Sequence, residues 1–579
     1  MSCGLLADAH TPEQLEERIQ GYEARLAAQE AGLASVTAWQ GEVTSSLALP
    51  TPSASASAIP APFPFELAPT PAVALTTISP APSAGSFLDP HVLPPDDIVR
   101  DLIALYFSHI APWAPILPPG LQQQFAAPWS IVVYAIVVVT LRLSADPRIA
   151  GTKQQLRAAA KSHVLSHAIE STSIASVQAL ALLALDLIGS EQGPSSWGIL
   201  ALLTRSAVHL GLVAEDEGAG GAGGTTRVPS NLSRTSIIPP AHDWREDEAR
   251  RRLFWLIFSL DRYACASTGW DFALPDFDIR RRLPCSDEIW AGGTWHTAPL
   301  FKPVLHRDAH PDTSALSPMA YLVEALDLLG RSHSLQSRVL EAHDAREVEH
   351  RKDMVMTLTA AAKRWFADVP LAQMAPGPMP LVIAGVYHAT LLKLNAYYAY
   401  PALSNGAPVE PYGGTCAASA AALVRLVAQA RELGFRQASS PLFIWSAWVA
   451  ARVLFIHSFL AHHAHPDDNF EAILQALREQ AAYWSLANQY VKLLERAKRK
   501  WAAGTTHTDP DANPSLPDAI HVLLDLRRTA YSAVGATDQT PYVSPPDVNL
   551  SHLPAWAVQP LLGDLHNWFD LPAGLFADQ

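Results

Sequence analysis

Residues 253–260 read Leu-Phe-Trp-Leu-Ile-Phe-Ser-Leu, and that run limits what the chain can fold into. At 3.6 residues per turn it is apolar around nearly the whole helical circumference. Such a helix is expected among other helices rather than on a surface. Glu246, Asp247 and Glu248 precede it, where a helix N-terminus favours negative charge. Arg250, Arg251 and Arg252 follow them, and Asp261 and Arg262 close the run. Charges so close to an apolar run must be paired if they are buried. Gly269 breaks the helix, and Pro275 and Pro284 punctuate a loop that carries a second basic cluster, Arg280, Arg281 and Arg282. The two arginine clusters read either as a phosphate-attracting surface or as internal partners of the neighbouring acids, and the second reading is preferred.

The rest of the chain can surround such a helix. Of 579 residues, 49% are hydrophobic and 17% charged, enough for a sizeable core. The net charge of -14 argues against a chain that grips DNA by a broad basic face. Cys3, Cys265, Cys285 and Cys416 lack the short spacing of a structural zinc site, and their scarcity fits a reducing compartment. The N-terminus shows no secretory signal pattern. The most apolar runs, 129–143 and 442–460, read as core helices, so no membrane role is expected.

Taken in order, residues 1–10 are unstructured in expectation. Within 11–37, Leu15, Ile19, Tyr22, Leu26 and Leu33 step as a heptad seam, with Gln29 as a polar knob. This reads as a short parallel coiled coil joining a homodimer, or as one amphipathic helix on a domain surface. Residues 38–95, rich in Pro, Ala and Ser, read as a disordered linker. Helical periodicity begins at Asp96 and continues to about residue 500, interrupted by a Gly/Ser/Thr-rich insertion at 217–240. Helices are expected near 96–106, 129–143, 173–188, 195–210, 315–340, 347–366, 381–400, 416–433, 440–462 and 472–497. No alternating strand pattern appears, so the fold class is all-α, a large multi-helix bundle or irregular solenoid. In the tail, 503–579, a further helix is expected at 518–531. Leu565, Trp568, Phe569 and Asp570 there belong to an acidic-aromatic run that suits a coactivator-binding activation segment, or a tail packed on the domain.

Catalytic and metal chemistry find little support. His163 and His167 stand four apart with Glu170 beyond, but lack the glutamate a zinc-peptidase helix needs. His462, His463, His465, Asp467 and Asp468 fall at a helix end, where histidine is favoured electrostatically. Gly218, Gly220 and Gly223 spell a GxGxxG with neither strand before nor helix after it. No nucleophile elbow or Walker loop is present. Arg496, Lys498, Arg499 and Lys500 read as the basic end of a helix in preference to a nuclear import signal.

The order of acids, arginines, Phe254-Trp255, apolar run, Asp261-Arg262, Gly269 and Leu283-Pro284 resembles the signature of the fungal-specific transcription factor regulatory domain, or middle homology region. Upstream, Tyr106-Phe107, His109, Pro112 and Pro115-Ile116-Leu117 resemble its opening. Val177 to Leu180, Trp197 and Leu210-Gly211-Leu212 resemble its following helix pair. One departure is Gly269-Trp270-Asp271, where the family often has Gly-Arg-Pro. The resemblance implies a non-enzymatic nuclear regulator of RNA polymerase II genes, its helical domain gating activity, with a small-molecule effector as a candidate partner. It also implies DNA binding through two zinc ions held by six cysteines, a cluster these residues do not supply. Either such a cluster lies upstream of this sequence, with Cys3 a candidate for its last ligand, or the protein acts through a partner.

Overall fold

The structure, a computed structural model, describes residues 93–190, 193–215, 237–274, 279–293, 295–306, 315–337, 345–400, 408–435, 440–461, 463 and 465–505. The coil residues Leu15, Ile19, Tyr22, Leu26 and Leu33 lie outside the described residues. So do the linker up to residue 92, most of the insertion, the 518–531 helix and the tail residues Leu565, Trp568, Phe569 and Asp570.

Among the described residues there are fourteen α-helices and no strand, so the all-α expectation holds. They are α1 (Asp96–Leu105), α2 (Ile131–Thr140), α3 (Lys153–Glu170), α4 (Ile174–Ile188), α5 (Pro194–His209), α6 (Trp244–Thr268) and α7 (Asp287–Gly292). After these come α8 (Pro318–Ser337), α9 (Ala345–Asp368), α10 (Pro378–Ala399), α11 (Tyr412–Leu433), α12 (Pro441–Leu460), α13 (Asp468–Gln480) and α14 (Ser485–Thr505). Three isolated bridges, Ala214 with Arg280, Arg282 with Leu300 and Cys285 with Leu316, pin the loops around α6.

Local chemistry sets the helix ends. Ser173, Asp243, Ser440 and Asp467 each cap a helix by accepting a backbone N–H three residues on. Gly211, at φ 74°, ends the turn after α5 in a conformation a Cβ disfavours. One apolar core runs from Ile98 in α1 to Trp501 in α14. Helices adjacent in sequence mostly pack on each other, and α2 is wrapped by α1, α3 and α4. The α12 helix is long and apolar enough to cross a membrane, yet 94% of that stretch is buried within the body.

The single helix expected at 472–497 is two. The chain turns through Ala481 to Trp484 because Tyr483 and Trp484 both donate their N–H to the Gln480 carbonyl, closing a tight turn. The cause is a long-range contact: Trp484 is buried against Gly189, where a Cβ would meet the indole at 2.1 Å. The Arg142 guanidinium also lies over that indole, 4.1 Å from its centroid. Ser485 then donates to the Ser190 carbonyl at 2.9 Å, closing the end of α4.

Candidate functional site: a buried arginine network

Helix α6 occupies the middle of the body. It packs on α4 and α5 on the N-terminal side and on α8 beyond it. From Glu248 to Tyr263 every side chain is buried, as the apolar run requires. Phe254 and Trp255 are fully buried, and Trp255 meets Phe258 and Phe301 edge-on or tilted. Its indole N–H reaches the Arg282 carbonyl at 2.7 Å.

The three consecutive arginines reach different but overlapping sets of acids, Arg251 and Arg252 sharing Glu248. Arg250 pairs with Glu246 at 2.5 Å and donates to the Pro239 carbonyl at 2.8 Å. Arg251 grips Glu215 through two nitrogens, at 3.0 and 2.8 Å, and also pairs with Asp247 and Glu248. Arg252, fully buried, pairs with Glu248 at 3.0 Å and Asp287 at 2.6 Å, and donates to the Cys285 carbonyl at 2.7 Å. Its guanidinium lies 4.0 Å from the Trp290 ring centroid. Glu248, also fully buried, accepts the Cys285 backbone N–H at 3.0 Å. This close pairing is how so many charges are tolerated in the interior.

Burial opposes ionisation of Glu215, but hydrogen bonds from Arg251 and the charges of Arg281 and Arg251 outweigh it, holding the carboxyl down at about 2. Burial likewise works against protonated Arg251, and Glu215, Glu248 and Asp247 overcome it and raise its pKa. Arg281, deeply buried, is shifted down by burial. The second basic cluster thus divides: Arg281 is interior, Arg282 donates to the Ala298 carbonyl at 2.7 Å, and Arg280 is exposed. Four of the six arginines pair with acids as that reading expects, Arg281 with Glu215 at 3.7 Å, while Arg282 bonds a carbonyl and Arg280 is exposed.

At the other end of α6, Asp261 and Arg262 pair at 2.5 Å. Asp261 also accepts the N–H groups of Ala273 and Leu274, and Arg262 donates to the Leu274 carbonyl. Phe258 and Phe272 sandwich the Arg262 guanidinium at 4.5 and 4.2 Å. Gly269 caps the helix at φ 86°. Through these contacts Arg250, Arg251, Arg252, Trp255, Asp261 and Arg262 tie the loops before and after α6 to it.

Sequence reasoning missed Glu215, Asp287 and Trp290. Glu215 is 36 residues from Arg251, so no local spacing could reveal it. Asp287 gave a weak signal, since Ser286 caps a short helix there.

The other sequence candidates do not gather into a site. His163 lies against Tyr134, ring centroids 4.2 Å apart. Among the described residues no group of three or more His, Cys, Asp or Glu is arranged to hold a metal. Cys265, Cys285 and Cys416 are free and buried. Burial pushes the thiols of Cys285 and Cys416 up to about 12 and raises that of Cys265 too. Three such thiols do not fit a six-cysteine zinc cluster, and Cys3 lies outside the described residues. In the basic run, Lys498 pairs with Glu471 on the neighbouring α13.

The profile of the fungal specific transcription factor domain matches residues 103–366, a span that contains α6 and its network. That part of the chain is similar to the domain. A pigment biosynthesis transcriptional activator of Monascus ruber is 23% identical over 310 residues, 50% of this chain and 52% of the relative. The chain thus spans about half the length of the curated relative it matches. No solved structure matches it. Both resemblances are to transcription regulators rather than enzymes. Within the matched span the signature is buried inside the body, and α10 to α14 lie beyond that span.

Proposed function

We propose that this protein is a nuclear regulator of RNA polymerase II genes whose helical body gates its activity. The observation that supports the reading most is α6. Its charged signature is buried and ion-paired inside the body, within the segment that matches a fungal transcription factor domain. The body has a rigid interior through which an occupied or empty partner surface can change the whole. A small-molecule effector, a homodimer through the N-terminal coil and a coactivator held by the tail complete the proposal. Zinc and DNA contact belong to it only as family properties.

The second reading is a co-regulator that reaches DNA through a partner. It is favoured by the three described cysteines being buried singly, where none can join a zinc cluster. One experiment separates these readings from a passive scaffold. The full chain is fused to an unrelated DNA-binding domain and placed upstream of a reporter in a fungal host. Reporter output that changes on fusion, and falls when Trp568 and Phe569 are both replaced by alanine, supports regulation. Output unchanged by the fusion contradicts it. Chromatin occupancy of the unfused chain, with and without its interacting proteins, then divides direct from indirect contact.

A further inference from the structure

Helix α9 turns one face to solvent. Asp353, Thr357, Ala360 and Arg364 are exposed along it, stepping by four, three and four, so they stay in line. Val355, Leu358, Ala362 and Trp365 take the opposite, buried side. Met354 and Met356, beside Thr357, are 40% and 41% exposed. Among the described residues neither Asp353 nor Arg364 has an ion pair, although Arg351 pairs with Glu347 and Lys352 with Glu349 on the same helix. The face therefore has an apolar centre, an unmatched acid at one end and an unmatched cation at the other.

The two charges lie about 16 Å apart along the axis. Each is about 8 Å from the point midway between Thr357 and Ala360. That equality selects the occupant. A second α9, running antiparallel about a two-fold axis through this point, sets Asp353 opposite the partner's Arg364 and Arg364 opposite the partner's Asp353. Such a contact makes every pair twice. Thr357 then faces the partner's Ala360, and side chains this small allow helix axes to approach to about 8 Å. The exposed methionines of both copies cover the joint, a residue type enriched in interfaces. A parallel copy in register would instead oppose like charges at both ends, which is unfavourable.

We propose that the outer face of α9 is a self-complementary surface on which a second copy of this chain docks antiparallel. The contact uses none of the N-terminal seam residues, so it is separate from the coil dimer proposed above.

Cross-linking of the full chain tests this. Ala360→Cys is placed near the axis in a Cys3→Ser background, where the thiols of Cys265, Cys285 and Cys416 are buried. A bismaleimide should join two copies into a covalent dimer on a denaturing gel. Gly198→Cys, exposed on α5, should give no more dimer than the background. Adding Asp353→Arg or Arg364→Asp to Ala360→Cys opposes like charges twice and should cut the yield about tenfold. Both reversals together should restore it. These side chains are exposed, so thermal unfolding of each variant should match that of its parent. No dimer at Ala360→Cys, equal dimer at Gly198→Cys, indifference to either single reversal, or no recovery in the double variant would overturn the proposal.

Discussion

A fully buried arginine and glutamate persist only where their remaining protons and lone pairs are taken, and Arg252 and Glu248 meet that condition. Removing one partner leaves the other charge uncompensated in the interior. Arg252→Met is therefore expected to cost about 3–5 kcal/mol, read by urea unfolding. A loss below about 1 kcal/mol would mean that Glu248 finds water or another partner. Glu215 gives a signed pH effect. Its carboxyl is held at about 2 against the usual 4.5. A depressed acid contributes stability above its unfolded value and loses it as pH falls through the folded one. The contribution, about 3 kcal/mol at 1.36 kcal/mol per unit, should be complete above about pH 4.5 and vanish towards pH 2. Glu215→Gln should flatten that part of the stability–pH curve, and an unchanged slope would exclude Glu215 as its source. At this scale the sequence was informative about donors but not all acceptors. The acids at 246–248 stand within one turn of the arginines and were readable as partners. Glu215 and Asp287 arrive from distant loops that only folding brings close.

Helix α6 was legible because an apolar run with charged ends and a terminal glycine has one comfortable solution, a buried helix closed at φ > 0. The turn at 481–484 was not. Residues 472–497 hold no glycine or proline, and their periodicity suits one continuous helix. The turn exists because Trp484 fills the space left beside Gly189, a contact across almost three hundred residues. Gly189→Ala should thus destabilise the body by about 1–3 kcal/mol through overpacking, although its backbone accepts alanine. Gly198, exposed on α5 with nothing near its missing Cβ, is the control. Gly198→Ala should stabilise by about 0.5–1 kcal/mol through helix propensity. Thermal unfolding of both variants checks the pair, and equal effects would remove the steric account of the turn.

The body is larger than the segment that matches its family. The match ends at residue 366, inside α9, while the core runs on to Trp501. The Tyr263 hydroxyl of α6 reaches the Pro441 carbonyl at 3.3 Å, and its ring meets Trp445 edge-on at 5.9 Å. Cutting at 366 would bare these surfaces. Residues 93–366 alone should lack a cooperative thermal transition, whereas 93–505 should unfold in one. A cooperative transition in the shorter piece would show that α10 to α14 are accessory. The account as a whole depends on α6 being the innermost support of the molecule. Native-state hydrogen exchange across Trp244–Thr268 tests that most directly. The account predicts that amides from Arg252 to Arg262 exchange only on global unfolding, the slowest of any helix. Exchange there by local opening, faster than in α3 or α9, would contradict it.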